Sequence, residues 1–297
     1  MKIVRLINIL FIVLCIETGS PAFALTPERI VSCSPSFTEI LFALGKGEQV
    51  VGVTDFCRFP PEALKKQKIG GFLNPNLEKV IYLKPDLVVV QDAKSQMGEK
   101  MKRLGLPVLE IRNESLSDSL KAVEIIAGAA GVPERGKALK RNLEEKLNSI
   151  RKKYENTDKV RTLIVVDRSP EGLKDIYVSA PGTYLNEILE IAGGVNVLSR
   201  QPALYPKISK ESLIALNPDV ILDTTLAGQN FTSKTLQSAV DSWQDIPLLR
   251  AVKNQRIFML TDPAVTIQGP RIAETTGHMA DILHKNNGEV KSFGQLP

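Results

Sequence analysis

Residues 77–90, Leu-Glu-Lys-Val-Ile-Tyr-Leu-Lys-Pro-Asp-Leu-Val-Val-Val, return in altered form at 210–222 as Lys-Glu-Ser-Leu-Ile-Ala-Leu-Asn-Pro-Asp-Val-Ile-Leu. Each copy is a short helical pattern, stopped by Pro-Asp and followed by an apolar run. Proline cannot continue a helix, and it forces the residue before it out of the helical region. The runs Leu87–Val90 and Val220–Leu222 therefore read as buried parallel strands. A second echo pairs Thr38-Glu-Ile-Leu41 with Asn186-Glu-Ile-Leu189. Both lie in helical patterns that end in glycine, at Gly45 and at Gly193-Gly194, where helix C-termini favour it. The copies stand too far apart for a short solenoid repeat. Together they predict two similar α/β lobes.

Outward from these echoes the same alternation continues. In the first half the strands are Ile30–Cys33, Val50–Thr54, Leu87–Val90 and Val108–Ile111. In the second they are Thr162–Val166, a short one near Val197, Val220–Leu222 and Ile257–Leu260. Helical patterns separate them, so the fold class is α/β, two lobes of parallel sheet flanked by helices. Between the halves, Leu139, Leu143, Leu147, Ile150 and Tyr154 form one narrow apolar stripe on a highly charged segment. A helix over the 22 residues Glu134–Glu155 spans roughly 33 Å and would join the lobes as a stiff rod. The expected boundaries are 25–132 for the first lobe, 133–159 for the rod and 160–297 for the second lobe.

Composition agrees with a folded chain of two domains: 297 residues, 43% hydrophobic and 24% charged. The net charge of +5 comes without a dense Lys/Arg block, so a nucleic-acid partner is not expected. Residues 1–24 read as a cleavable signal peptide. Lys2 and Arg5 precede an apolar run from Leu6 to Ile16, which closes on Ala22-Phe-Ala24. That run is well short of the ~20 residues needed to span a bilayer. Cys15 follows Leu14 where a lipoprotein signal usually has a small residue, so a free periplasmic protein is expected. An oxidising compartment permits a disulfide between Cys33 and Cys57, each at or just past the end of a predicted strand. Two separate buried thiols are the alternative.

One stretch identifies a family. Arg29-Ile-Val-Ser-Cys-Ser-Pro-Ser-Phe-Thr-Glu-Ile-Leu-Phe-Ala-Leu-Gly45 resembles the opening of periplasmic solute-binding proteins with a helical backbone between their lobes. Val51-Gly-Val-Thr-Asp-Phe-Cys-Arg-Phe-Pro-Pro-Glu-Ala63, Gly70-Gly-Phe-Leu-Asn-Pro-Asn-Leu-Glu78, Ala192-Gly-Gly194 and Asp262 through Gly269-Pro-Arg271 extend the resemblance over nearly all of the mature chain. It is nearest to the cobalamin-binding members; siderophore- and haem-binding members share the frame. The resemblance implies a ligand held between the lobes and delivered to an ABC permease and its ATPase by a monomeric protein. It places ligand contacts at Ser34, Pro35, Ser36, Phe56, Arg58, Phe72, Gln91, Arg168, Tyr205, Asp262 and Thr266. Phe56, Phe72 and Tyr205 would pack on a large ring, and Arg58, Arg168 and Asp262 would bind its polar substituents. The best-known cobalamin receptors carry tryptophans at Phe72, Gln91 and Tyr205. The single tryptophan here, Trp243, reads as a core residue. The resemblance further implies permease docking by one glutamate per lobe, Glu78 and Glu190, with Glu187 as a competing choice in the second lobe.

Other classes fit less well. A zinc or manganese receptor needs several histidines or carboxylates converging from both lobes. The histidines His278 and His284 are not spaced to share a helix face and read as surface residues, so no metal site is called. The sequence holds no Gly-x-Ser-x-Gly elbow, no phosphate loop and no His-Glu-x-x-His, so it supplies no nucleophile or cofactor site for an enzyme. Chelatases share a related lobe design and remain the alternative from that class.

Overall fold

A computed structural model describes residues 26–91, 96–169, 172–199 and 201–285. The expected export signal at 1–24 lies outside them. The first lobe runs β1 (Ile30–Ser32), α1 (Pro35–Ala43), β2 (Val50–Val53), β3 (Gln67–Lys68), α2 (Leu77–Tyr82), β4 (Leu87–Gln91), α3 (Met97–Arg103), β5 (Val108–Ile111) and α4 (Leu116–Ala129). Its five strands form one parallel sheet in the order β3-β2-β1-β4-β5. The central strands β1 and β4 are buried along nearly their whole length because helices cover both faces, as parallel sheets require.

The chain then enters α5 (Pro133–Tyr154). Pro133 opens this helix at a position where a missing N–H is harmless. The predicted stripe is the face it buries: Leu143, Leu147 and Tyr154 are in the core, with Leu139 and Ile150 packed against it. That core is continuous. It runs from Phe37 and Ile40 in the first lobe through α5 to Ile188 and Ile272 in the second. Each large apolar side chain so buried is worth about 1.5–3 kcal/mol, and this shared interior makes the rod part of both lobes.

The second lobe comprises β6 (Val160–Asp167), β7 (Ile176–Val178), α6 (Tyr184–Ile191), β8 (Gly194–Asn196), β9 (Lys207–Ile208), α7 (Lys210–Leu216), β10 (Val220–Asp223), α8 (Ser233–Asp241), α9 (Arg250–Lys253), β11 (Ile257–Met259) and α10 (Ile272–His284). Its sheet has the order β11-β10-β6-β7-β9, with β8 beside the start of β6. Here the expectation of a parallel sheet is corrected at one strand: β7 runs antiparallel to both of its neighbours, β6 and β9. The chain between β6 and β7 is too short to hold a crossover helix, so it can only turn back.

The sequence echo has a structural counterpart. α2 and α7 both follow a two-residue strand and precede the apolar strand that Pro-Asp introduces. Asn76 and Ser209 cap them by accepting from the N–H three residues on. Lys84 and Asn217, the residues before the two prolines, both take positive φ, 46° and 42°. At the far end, Gly193 (φ +85°) lets the chain turn under α10; a Cβ there would meet His284 Nε2 at 2.5 Å and Tyr154 Cβ at 3.0 Å. His284 is not a surface residue as expected: its ring stacks on Tyr154 at 4.3 Å and its Nε2 meets the Ala192 carbonyl at 3.0 Å.

Candidate functional site

A cleft of about 490 Å³ opens between the lobes at the carboxyl ends of their strands, where ligands of parallel α/β sheets bind. From the first lobe it is lined by Ser34, Pro35 and Ser36 after β1, Phe56 and Arg58 after β2, Phe72 after β3, Gln91 at the end of β4 and Asn113 after β5. From the second lobe, Ala227, Gly228 and Gln229 follow β10, and Pro263, Thr266, Ile267 and Gln268 follow β11. Each reaches the cleft because its strand ends there.

Eight of the eleven sequence-predicted ligand residues, namely Ser34, Pro35, Ser36, Phe56, Arg58, Phe72, Gln91 and Thr266, therefore share one wall system. Ser34 Oγ and Ser36 Oγ hydrogen-bond to each other at 2.9 Å at the start of α1. Gln91 donates through Nε2 to the Asn113 carbonyl at 3.1 Å. Phe56 stays more than half exposed at the mouth. Asn113 ties the cleft floor together: its Nδ2 donates to Ser36 Oγ and to the Gln268 carbonyl, both at 3.2 Å, and its Oδ1 accepts from Ser119.

The other three lie elsewhere. Arg168 is a structural residue of the second lobe, which corrects its assignment as a ligand contact. Its side chain has no exposed surface. Nε donates to Asp223 at 2.7 Å, Nη2 to the Ala239 carbonyl, and Nη1 to Ser169, Gly172 and Ser242. The guanidinium lies over Trp243 at 5.0 Å, and the indole N–H donates to the same Asp223. Trp243 is thus a core residue, as the sequence reading expected. Fully buried and hydrogen-bonded through all three guanidinium nitrogens inside the lobe, Arg168 does not reach the cleft. Asp262 accepts from Ala264 N at 2.7 Å and faces Arg271 at 3.5 Å, so it shapes the turn before Thr266 without lining the cleft. Tyr205 lines a smaller adjoining cavity of about 290 Å³ with Tyr184 and Leu185, which meets the cleft at Thr266 and Gln268. Burial pushes the Tyr205 phenol up from its ordinary range.

The sequence reading missed Asn113, Gln229 and Gln268. Asn113 stands just past β5, so the strand-end rule alone could have found it, whereas Gln229 lies farther on, beyond the turn that follows β10. Gln268 sits inside the quoted Asp262–Arg271 stretch and carried no separate signal. With Gln91 they give the cleft four carboxamides. Arg58 is the charged side chain among the described lining residues.

The expected disulfide is corrected too. Cys33 and Cys57 are both buried and free. Cys57 Sγ instead meets the hydroxyls of Thr38 at 3.2 Å and Thr54 at 3.1 Å. Burial raises both thiols, that of Cys33 to about 12, which removes the reactive thiolate.

Of the expected docking glutamates, Glu78 is exposed in the first turn of α2. Glu190 is exposed as well; it accepts from Asn186 Nδ2 at 2.8 Å and lines a groove along α5. Glu187 accepts from Leu116 N at 2.7 Å, capping α4 across the lobe boundary. The residue that stands in the second lobe where Glu78 stands in the first is Glu211, exposed in the first turn of α7. The repeat quoted at the outset aligns the two directly.

Two lobes on a shared rod, with a lined cleft at their strand ends, define a two-lobe binding protein. The chain belongs to the periplasmic binding protein family, whose model matches residues 30–264. It is 32% identical over 264 residues to YvrC of Bacillus subtilis (strain 168), an uncharacterized ABC transporter substrate-binding lipoprotein, covering 87% of this chain and 80% of that one. It is 28% identical over 268 residues to the vitamin B12-binding protein of Vibrio parahaemolyticus, covering 87% and 91%. Among solved structures, the periplasmic heme-binding protein RhuT of Roseiflexus sp. RS-1 matches with a TM-score of 0.74 and 28% identity over 86% of this chain and 98% of that one.

Proposed function

We propose that this protein captures cobalamin or another corrinoid in the cleft between its lobes and delivers it to an inner-membrane ABC permease driven by an ATPase. The observation that carries this reading is the make-up of the cleft. Two phenylalanines, Phe56 and Phe72, offer apolar faces, and four carboxamides and three hydroxyl groups surround them. A large ring system needs such faces for its plane and neutral hydrogen-bonding groups for its rim. A corrin bearing amide side chains matches both. The likeness to a vitamin B12-binding protein supports the same reading, and the apolar run before Ala22-Phe-Ala24 supports export as a free periplasmic protein.

For delivery, Glu78 and Glu211 are the proposed contacts to the permease, in place of the expected Glu190. Paired exposed carboxylates on equivalent helices give a two-point dock, and rim charges of this kind set encounter rate and register. The test of the cargo is the absorption spectrum of protein purified from its native host. A corrinoid band is expected. A haem Soret band or a ferric-chelate band would replace the corrinoid reading with that of the haem- or siderophore-binding relatives.

A further inference from the structure

Arg58 differs from the two other arginines of this region. Arg168 spends its guanidinium inside the second lobe, and Arg271 is held by Glu39 and Asp262. Arg58 is exposed on the cleft wall. Its Nη1 crosses from the first lobe to the Gly228 carbonyl of the second at 3.1 Å. Its remaining N–H groups make no hydrogen bond among the described residues. Arginine carries five such donors in a rigid fork suited to the two oxygens of a phosphate or carboxylate.

The backbone under this free fork is fixed. Lys68 Nζ donates to the carbonyls of Thr54, Cys57 and Ala63, at 3.4, 3.0 and 3.4 Å, clasping the loop on both sides of Arg58. The neighbouring Phe59 ring lies against the Arg271 guanidinium at 4.2 Å. No described lining residue carries a negative charge that would compete for it. The side chain is thus held at the mouth, bracketed to the opposite lobe by one donor and open at the others.

We infer that Arg58 reads an anionic group on the cargo, a phosphodiester or a carboxylate, and that this one contact separates cargo classes the apolar walls cannot. The inference rests on the corrinoid reading only for the choice of first probe. An ionic hydrogen bond of this kind is worth roughly 10- to 100-fold in affinity.

The test titrates the mature protein and its Arg58→Gln variant with cyanocobalamin, which carries a phosphodiester, and with dicyanocobinamide, which has the same ring without one. Haemin and its dimethyl ester form the carboxylate arm. Wild type is expected to favour cyanocobalamin over dicyanocobinamide by about 10- to 100-fold. In Arg58→Gln that ratio should collapse through the cyanocobalamin arm, and Arg58→Lys should restore part of it. Equal losses on both corrinoids, or no loss on either, overturn the role of Arg58 while leaving the corrinoid reading standing. If wild type binds neither corrinoid, that reading falls and the haemin pair decides on Arg58: loss of preference for the free acid in Arg58→Gln supports it, and an unchanged preference overturns it. A wild-type protein that binds no anionic probe overturns it as well.

Discussion

Glu39 in the first lobe and Arg271 in the second form a double hydrogen-bonded ion pair across the lobe boundary, with Nη2 2.6 Å from Oε1 and Nε 3.0 Å from Oε2. The side chains are only 2% and 10% exposed. Burial pushes the Glu39 carboxyl up, and the Arg271 guanidinium opposes that shift. Breaking such a pair strands a charge in the interior, which costs about 3–5 kcal/mol, whereas replacing both partners by apolar groups is often tolerated. Arg271→Met is therefore expected to lower stability by about that amount, and Glu39→Leu with Arg271→Met to recover much of it. Denaturant melts of the single and double variants check this. Losses that simply add would mean that the two residues are not coupled.

His284 gives a pH dependence with a definite sign. Burial lowers its pKa below the ordinary 6.5, outweighing the Ala192 carbonyl that would raise it. The unfolded chain therefore takes up the proton first as pH falls below 6.5, and stability present above that pH is lost below it. Wild type should melt at a lower temperature at pH 5.5 than at pH 7.5, and His284→Asn should show a smaller difference. Identical shifts in both proteins would remove His284 from the account.

The thiols make a chemical prediction. With Cys33 pushed to about 12 and both groups buried, iodoacetamide should label the native protein slowly at pH 8. After unfolding without reductant it should label both cysteines completely. A native mass two hydrogens lighter, with no labelling after unfolding, would instead establish the bridge.

Docking is separable from cargo binding. Reversing both charges, Glu78→Lys with Glu211→Lys, should abolish uptake in cells while calorimetry shows unchanged cargo affinity. Full uptake by this variant, with loss on Glu190→Lys, would return the second docking point to α6.

The sequence was most informative where one physical rule acted alone. Pro85 and Pro218 each had to end a helix, the stripe Leu143–Leu147–Tyr154 had to face a core, and the strand that ends at Gln91 had to open onto the cleft. It was least informative where a side chain had two outlets. Arg168 follows a central strand just as a ligand residue would, yet Asp223 and Trp243, far away in sequence, absorb it. Cys33 and Cys57 lie on adjacent strand ends, and hydroxyls from Thr38 and Thr54 decide that Cys57 remains a thiol partner of the loop. The short β3, β7 and β9 have two or three residues each, too few for any period to register. Glu211 holds in the second copy of the repeat the place that Glu78 holds in the first, so its position is legible in the sequence.

The most direct measurement is a calorimetric titration of the mature protein with cyanocobalamin, run beside Phe72→Ala. The account predicts one-to-one binding, weakened by roughly 10- to 100-fold when the Phe72 ring is removed from the cleft wall. Failure to bind cyanocobalamin, haemin or a ferric siderophore at high protein concentration, or tight binding indifferent to Phe72, would contradict a cargo site between the lobes.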